Sequence, residues 1–172
     1  MSESAFLAAC FTRTAQTITA TFNLTLDNHL EEVWAELTES ARLSRWLAPG
    51  TIELKVGGLA RIDFSDSGSV IDSPVTAMQP LRLLAYSWSS PGQPDRPIRW
   101  ELEPLGPMTR LTLQVTVPSS EDAARAAAGW SAHLEMLWAA LMGVPVKFPL
   151  NAFKAARAAF AAELSEAQAQ VA

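Results

Sequence analysis

Residues 17–50 read TITATFNLTLDNHLEEVWAELTESARLSRWLAPG, and two different periodicities meet inside them. From Thr17 to Asp27 the pattern alternates: Ile18, Ala20, Phe22, Leu24 and Leu26 share one face, and Thr17, Thr19, Thr21, Asn23 and Thr25 the other. A period of two describes a strand with one buried and one wet face, as in an antiparallel sheet. From Asn28 the period lengthens. Asn28 followed three positions later by Glu31 predicts a capping box, and Leu30, Val33, Trp34 and Leu37 then recur at helical spacing. A second short helix is predicted from Ser40, with Leu43, Trp46 and Leu47 on one side. Pro49-Gly50 stops it, because the residue before a proline is pushed out of helical geometry.

Downstream the period of two returns. Ile52, Leu54 and Val56 alternate up to Gly57-Gly58, a pair able to adopt the positive φ angles of a tight turn, and Ala60, Ile62 and Phe64 alternate after it, which predicts a hairpin. A Ser65-Asp66-Ser67-Gly68 turn then leads to a weaker strand interrupted at Pro74, whose missing N–H suits an edge or a bulge. Leu84, Tyr86 and Trp88 alternate ahead of a proline-rich loop, SSPGQPDRP (89–97), and two further strands set Ile98, Trp100 and Leu102, then Leu111, Leu113 and Val115, against polar neighbours. After Pro118 the composition switches to helix formers. Ser119 or Ser120 is the expected N-cap, Glu121 and Asp122 the acidic first turn, and Trp130, Leu134, Leu137, Trp138 and Leu141 the apolar stripe of a helix ended by Gly143. From Pro149 onward Phe153, Ala156, Phe160, Leu164, Ala167 and Val171 predict one more amphipathic helix, which either docks on its own chain or pairs with a twofold mate as a homodimer.

This order of elements puts every apolar strand face on one side and leaves one long helix to close it. The expected fold is α+β: a helix-grip arrangement, with a curved antiparallel sheet wrapped around a long C-terminal helix. Residues 1–16 are an N-terminal extension, 17–143 the domain, and 144–172 a C-terminal helical extension. The segments VWAELTESARLSRWLAPG (33–50), VGG (56–58), LLAYSW (83–88), WELEPLG (100–106), TRLTLQV (109–115) and GWSAHLEMLWAALMG (129–143) carry a resemblance. Together they look like the bacterial stand-alone proteins similar to the C-terminal domain of the activator of the heat-shock-protein-90 ATPase, in the START and Bet v 1-like (SRPBCC) superfamily. That resemblance implies an elongated hydrophobic cavity between sheet and helix, holding a lipid, sterol, polyketide or other apolar small molecule. The family name also brings a co-chaperone role on an ATPase. Against it, the full activator carries a separate N-terminal domain, which the residues before Thr17 are too few to supply.

Charge and composition narrow the partners. With 13 Lys and Arg against 18 Asp and Glu, a net charge of -5 disfavours nucleic acid and anionic membrane surfaces. A single cysteine, Cys10, excludes an internal disulfide and a cysteine metal cage, and points to a cytoplasmic location. The start, MSESAFLAACF, lacks the basic residues of a signal peptide, and no window approaches the ~20 apolar residues of a membrane span. No cofactor and no metal site are expected: two histidines, His29 and His133, stand far apart in sequence, and Gly57-Gly58 lacks the spacing of a phosphate loop.

The expected ligand-binding residues are therefore aromatic. Phe22, Phe64, Tyr86, Trp88 and Trp100 fall on the sheet face opposite Trp130, Leu134 and Trp138, where each either meets a ligand or packs as core, and Trp46, ending the second short helix near the cavity's opening, either plugs it or meets the ligand. His133, beside Leu134, is the best of few candidates for proton transfer, through Tyr86 or a water, the other reading being a helix-flank histidine that bonds a backbone carbonyl; a polyketide cyclase or dehydratase-like activity would rest on it. Ser131 and His133 point in different directions from a helix and cannot form a nucleophile–base pair.

Overall fold

A computed structural model describes residues 6–64 and 69–171. The elements run β1 (Cys10–Arg13), β2 (Thr17–Leu26), α1 (Leu30–Thr38), α2 (Ser40–Trp46), β3 (Gly50–Ile52), β4 (Leu59–Phe64) and β5 (Ser69–Pro74). They continue as β6 (Ala77–Gln79), β7 (Leu83–Ser87), β8 (Pro97–Leu105), β9 (Met108–Pro118), α3 (Ala123–Leu141) and α4 (Leu150–Val171). The expected turn at Ser65–Gly68 lies outside the described residues.

Every strand pairing is antiparallel, in two sheets: six strands in the order β1-β2-β9-β8-β7-β6, and three in the order β3-β4-β5. The register aligns the apolar positions into rows. Phe22, Leu113, Trp100 and Leu84 are successive partners across β2, β9, β8 and β7, and Ala20, Val115, Ile98 and Tyr86 form the next row. All eight are buried. A one-residue slip of any strand would turn its whole set to water, so burial enforces this register. The smaller sheet is tied to the larger by Ser73, whose hydroxyl donates to the Ser87 carbonyl at 2.7 Å, and by the Asp72 N–H to the Ser89 carbonyl at 3.1 Å. α3 lies across the apolar face, burying Trp130, Leu134 and Leu137, and α4 runs along α3. This is the helix-grip arrangement.

Several boundaries differ from the sequence expectation. The strand ahead of Gly57-Gly58 ends at Ile52, and Leu54 and Val56 stand exposed, because the chain between Glu53 and Gly58 closes on itself: Lys55 N–H bonds the Glu53 carbonyl, and Gly58 N–H the Lys55 carbonyl. Both glycines are still needed. Gly57 has φ +83°, and a Cβ on Gly58 would meet the Glu53 carbonyl oxygen at 2.7 Å. α1 begins after His29 rather than Asn28; the Asn28 amide instead donates to Glu32 Oε2 at 2.9 Å and to the Leu141 carbonyl at 3.2 Å, tying α1 to the end of α3. α3 is capped by Asp122, not Ser119 or Ser120, because Ser119 N–H is still held by the Gln16 carbonyl at the strand end. Asp122 Oδ1 accepts the Arg125 backbone N–H at 2.9 Å, an N-cap bond worth about 1 kcal/mol.

The terminal segments join the same body. β1 pairs with β2 at the sheet edge, an element the alternation reading does not assign, and Ser131 Oγ donates to the Leu7 carbonyl at 2.9 Å. The α4 stripe docks on its own chain: Ala156 and Phe160 are buried, Phe160 meeting the rings of Phe6 and Phe11 edge-on at 5.6 and 5.3 Å. Ala167, expected on that stripe, is exposed, and the side chain of Val171 lies outside the described residues.

Candidate functional site

Sheet and helix do not meet along the whole of the apolar face. At the end where β9 carries Val115 and Val117, a cleft of about 780 Å³ opens between the sheet, the ends of β4 and β5 at Phe64 and Ser69, the first half of α3, and Phe148 and Phe153 at the approach to α4. Its floor is aromatic. Rings follow one another from the core outward: Trp46 to Trp100 at 6.0 Å, Trp100 to Trp130 at 5.7 Å, Trp130 to Trp88 at 4.7 Å, and Trp88 to Phe64 at 5.8 Å. These edge-on contacts are the geometry the ring quadrupoles favour, so the cluster fills its space firmly.

The ten residues expected at the site therefore separate into three groups. Phe64, Trp88, Trp130 and His133 line the cleft. Phe22, Trp46, Tyr86, Trp100 and Leu134 lie behind that floor, each at most 2% exposed, and make the deep half of the expected hollow solid core. The Trp46 indole N–H donates to the Glu36 carbonyl at 2.9 Å, which locks it as a packing residue. Tyr86 is sealed with the Trp100 indole facing its hydroxyl; burial drives its ionisation well above the ordinary phenol range and places it beyond reach of a ligand. Trp138 belongs to neither group: it is 49% exposed and outside the cleft. At 100° per residue it stands about 80° around α3 from Trp130, whereas Leu134, Leu137 and Leu141 stay within about 40° of it.

His133 lies on the flank of α3 that faces the cleft, between the rings of Phe64 at 6.3 Å and Phe148 at 5.5 Å. Its Nδ1 is 3.1 Å from the Trp46 carbonyl. A carbonyl only accepts, so Nδ1 carries the proton and Nε2 is left as the acceptor. Burial lowers the pKa of the ring below the ordinary imidazole value, against the smaller opposite pull of the Trp46 bond, so the group is neutral at pH 7.

The rim is charged, and the sequence reading did not single it out. Arg96, from the proline-rich loop, grips Glu121 with two bonds, Nε to Oε1 at 2.8 Å and Nη2 to Oε2 at 3.0 Å, clasping that loop to the start of α3. The loop is also tied to β5, with Ser90 Oγ donating to the Val70 carbonyl. Asp122 and Arg125 complete the rim, and Gly129 leaves a gap in the α3 wall where a Cβ would meet no atom of the described residues within 4 Å. In the sequence, Glu121 and Asp122 were legible only as the acidic first turn of a helix, Arg96 only as part of the proline-rich loop, and Gly129 as a lone glycine inside a strong helix pattern. Among the described residues, no group of three His, Cys, Asp or Glu is placed to hold a metal ion, and no helix is long and apolar enough to cross a membrane.

Comparison with known proteins agrees with this architecture. CalU16 from Micromonospora echinospora superposes with a TM-score of 0.75 at 23% identity, over 92% of this chain and 97% of that one. EF2215, a conserved protein of unknown function from Enterococcus faecalis, does so at 0.79 and 21%, over 92% and 91%. DynU16, from the dynemicin biosynthetic locus, gives 0.66 at 25% identity, over 74% of this chain and 48% of its own. No curated protein matches the sequence. The family described as "Activator of Hsp90 ATPase homolog 1-like protein" matches residues 27–142, from the loop before α1 to the end of α3. With its helix-grip fold and this match over more than half its length, the chain belongs to the activator of Hsp90 ATPase homolog 1-like family.

Proposed function

We propose that the cleft binds an apolar, ring-bearing small molecule of lipid, sterol or polyketide type. The observation that carries this reading is the cleft itself: about 780 Å³ floored by Trp88, Trp130, Phe64 and Phe148 falls within the size and chemistry of small-molecule pockets. Gly129 supports it. A mid-helix glycine costs about 1 kcal/mol relative to alanine, and here the missing side chain keeps the cleft open. That DynU16 comes from a biosynthetic locus adds support for a small-molecule role.

Gly129→Leu supplies the test. The new side chain projects into the cleft while improving helix propensity, so thermal stability should hold or rise as affinity for the neutral probe N-phenyl-1-naphthylamine falls at least tenfold, read by probe and tryptophan emission. If fatty acids, sterols and aromatic polyketides all leave the wild-type emission and melting temperature unchanged, the reading fails, since a ligand at 100 times its Kd adds about 2.7 kcal/mol to stability.

A second reading, catalysis of the cyclase or dehydratase kind, is favoured by His133 alone. Its neutral, unprotonated Nε2 at the aromatic floor is the form a general base requires. His133→Ala would then lose turnover while keeping binding, and equal turnover in wild type and variant removes this reading.

A further inference from the structure

The charges around the cleft are unevenly matched, and this indicates which kind of apolar molecule the cleft accepts. Among the described residues, four charged ones line it: Arg96, Glu121, Asp122 and Arg125. Arg96 and Glu121 are fully engaged with each other through two bonds. Asp122 has one oxygen on the Arg125 backbone N–H at 2.9 Å and the other on Arg157 Nη2 at 2.9 Å. Each carboxylate thus has its own guanidinium. Arg125 is left over: its side chain is exposed, and among the described residues it forms no ion pair and no side-chain hydrogen bond, feeling Asp122 only at longer range. With Arg157 counted, the described residues of the rim carry one positive charge in excess, on a chain whose net charge is -5.

Arg125 also stands one helical turn before Gly129, the gap in the α3 wall, and both line the same cleft. A molecule entering across Gly129 with its rings against Trp88 and Trp130 has its outer end at this rim. There the guanidinium offers a planar fork of donors suited to an oxyanion. Glu121 and Asp122 do not repel such a group strongly, since each is already neutralised by an arginine.

We propose that the ligand is an amphipathic anion, an apolar ring system bearing one carboxylate or an equivalent acidic group, with the rings on the aromatic floor and the acid held by Arg125. This deepens the small-molecule reading above and rests on it. A sterol or a neutral polyketide fits the floor equally well and gains nothing from the rim. The acidic ligand gains a charge-assisted contact at a water-exposed edge, which for such pairs corresponds to about a fivefold difference in affinity.

The test uses two probes that differ only by the acid: 8-anilinonaphthalene-1-sulfonate and the neutral N-phenyl-1-naphthylamine, titrated into the full chain and followed by emission. In Arg125→Gln the dissociation constant of the sulfonate should rise about fivefold, while that of the neutral probe stays within twofold. Arg110→Gln removes the same charge from the outer face of the sheet, where Arg110 pairs with Glu103 at 3.3 Å, and should change neither constant. Gly129→Leu should weaken both probes, which places them in the cleft. Equal constants for the sulfonate in wild type and Arg125→Gln, or an equal change for both probes, overturn the anion assignment. In that case, binding of the neutral probe that Gly129→Leu abolishes leaves the cleft reading standing. If neither probe binds the wild type at a site that Gly129→Leu closes, the cleft reading fails and this inference fails with it.

Discussion

His133 shows how one side chain acquires a property its residue type does not specify. Its neighbours are rings and its Nδ1 is held by a carbonyl, so the folded chain resists protonating it. Its folded pKa lies below the unfolded one, so between the two values, and below both, the unfolded chain holds a proton that the native site disfavours. Stability from this group is whole above about pH 6.5 and falls as pH drops through the folded value. Glu36 acts in the opposite sense. Burial raises its pKa against the pull of Arg45 and Arg42, and while Oε1 meets Arg45 at 3.1 Å, Oε2 is buried with no hydrogen-bond partner among the described residues. It therefore favours the folded chain as pH falls from neutrality towards the ordinary carboxylate range. His133→Phe isolates the histidine's share: from about pH 7.5 to 5.5 its denaturant midpoint should fall less, or rise more, than that of wild type, because the Glu36 trend is common to both chains. At this scale the sequence was readable for residues near the centre of a stripe. Trp130, Leu134 and Leu137 point inward as expected; Trp138, on the stripe's margin, does not.

At the scale of elements, the strands were legible because alternation is a local signal that burial on one face preserves. β2, β8 and β9 keep their inward residues as read. β1 and β6, with four and three residues, are too short to show a period, and their existence depends on the edges they pair with. α4 was legible as an amphipathic helix, but its partner was not. That partner is the chain's own N-terminal segment and α3, and Phe160 anchors the contact between Phe6 and Phe11. Phe160→Ala should cost about 3–5 kcal/mol by deleting a buried ring, lowering the melting temperature by roughly 10 °C in a chain of this size, as calorimetry would show. A loss under 1 kcal/mol would mean that α4 contributes little to the native state. A homodimer through α4 would use the helix's outer face around Lys154 and Ala158, because Ala156 and Phe160 are already covered.

For the whole molecule, the question was whether sheet and helix enclose a hollow or meet flush, and both occur. Toward α1 and α2 the tryptophan cluster closes the interior; toward the start of α3 the second sheet and the approach to α4 hold the walls apart around the cleft. The sequence by itself determined the family, the antiparallel sheet, the long closing helix and the aromatic character of the interior, because each is written in local periodicity or in ordered motifs. Only the tertiary structure decided which aromatics line the cleft, and among the described residues it left Arg125 without an ion pair at a rim assembled from a loop, a helix start and the final helix. Those outcomes depend on the distances between segments remote in sequence, and on which charges have already found partners, neither of which any local pattern encodes.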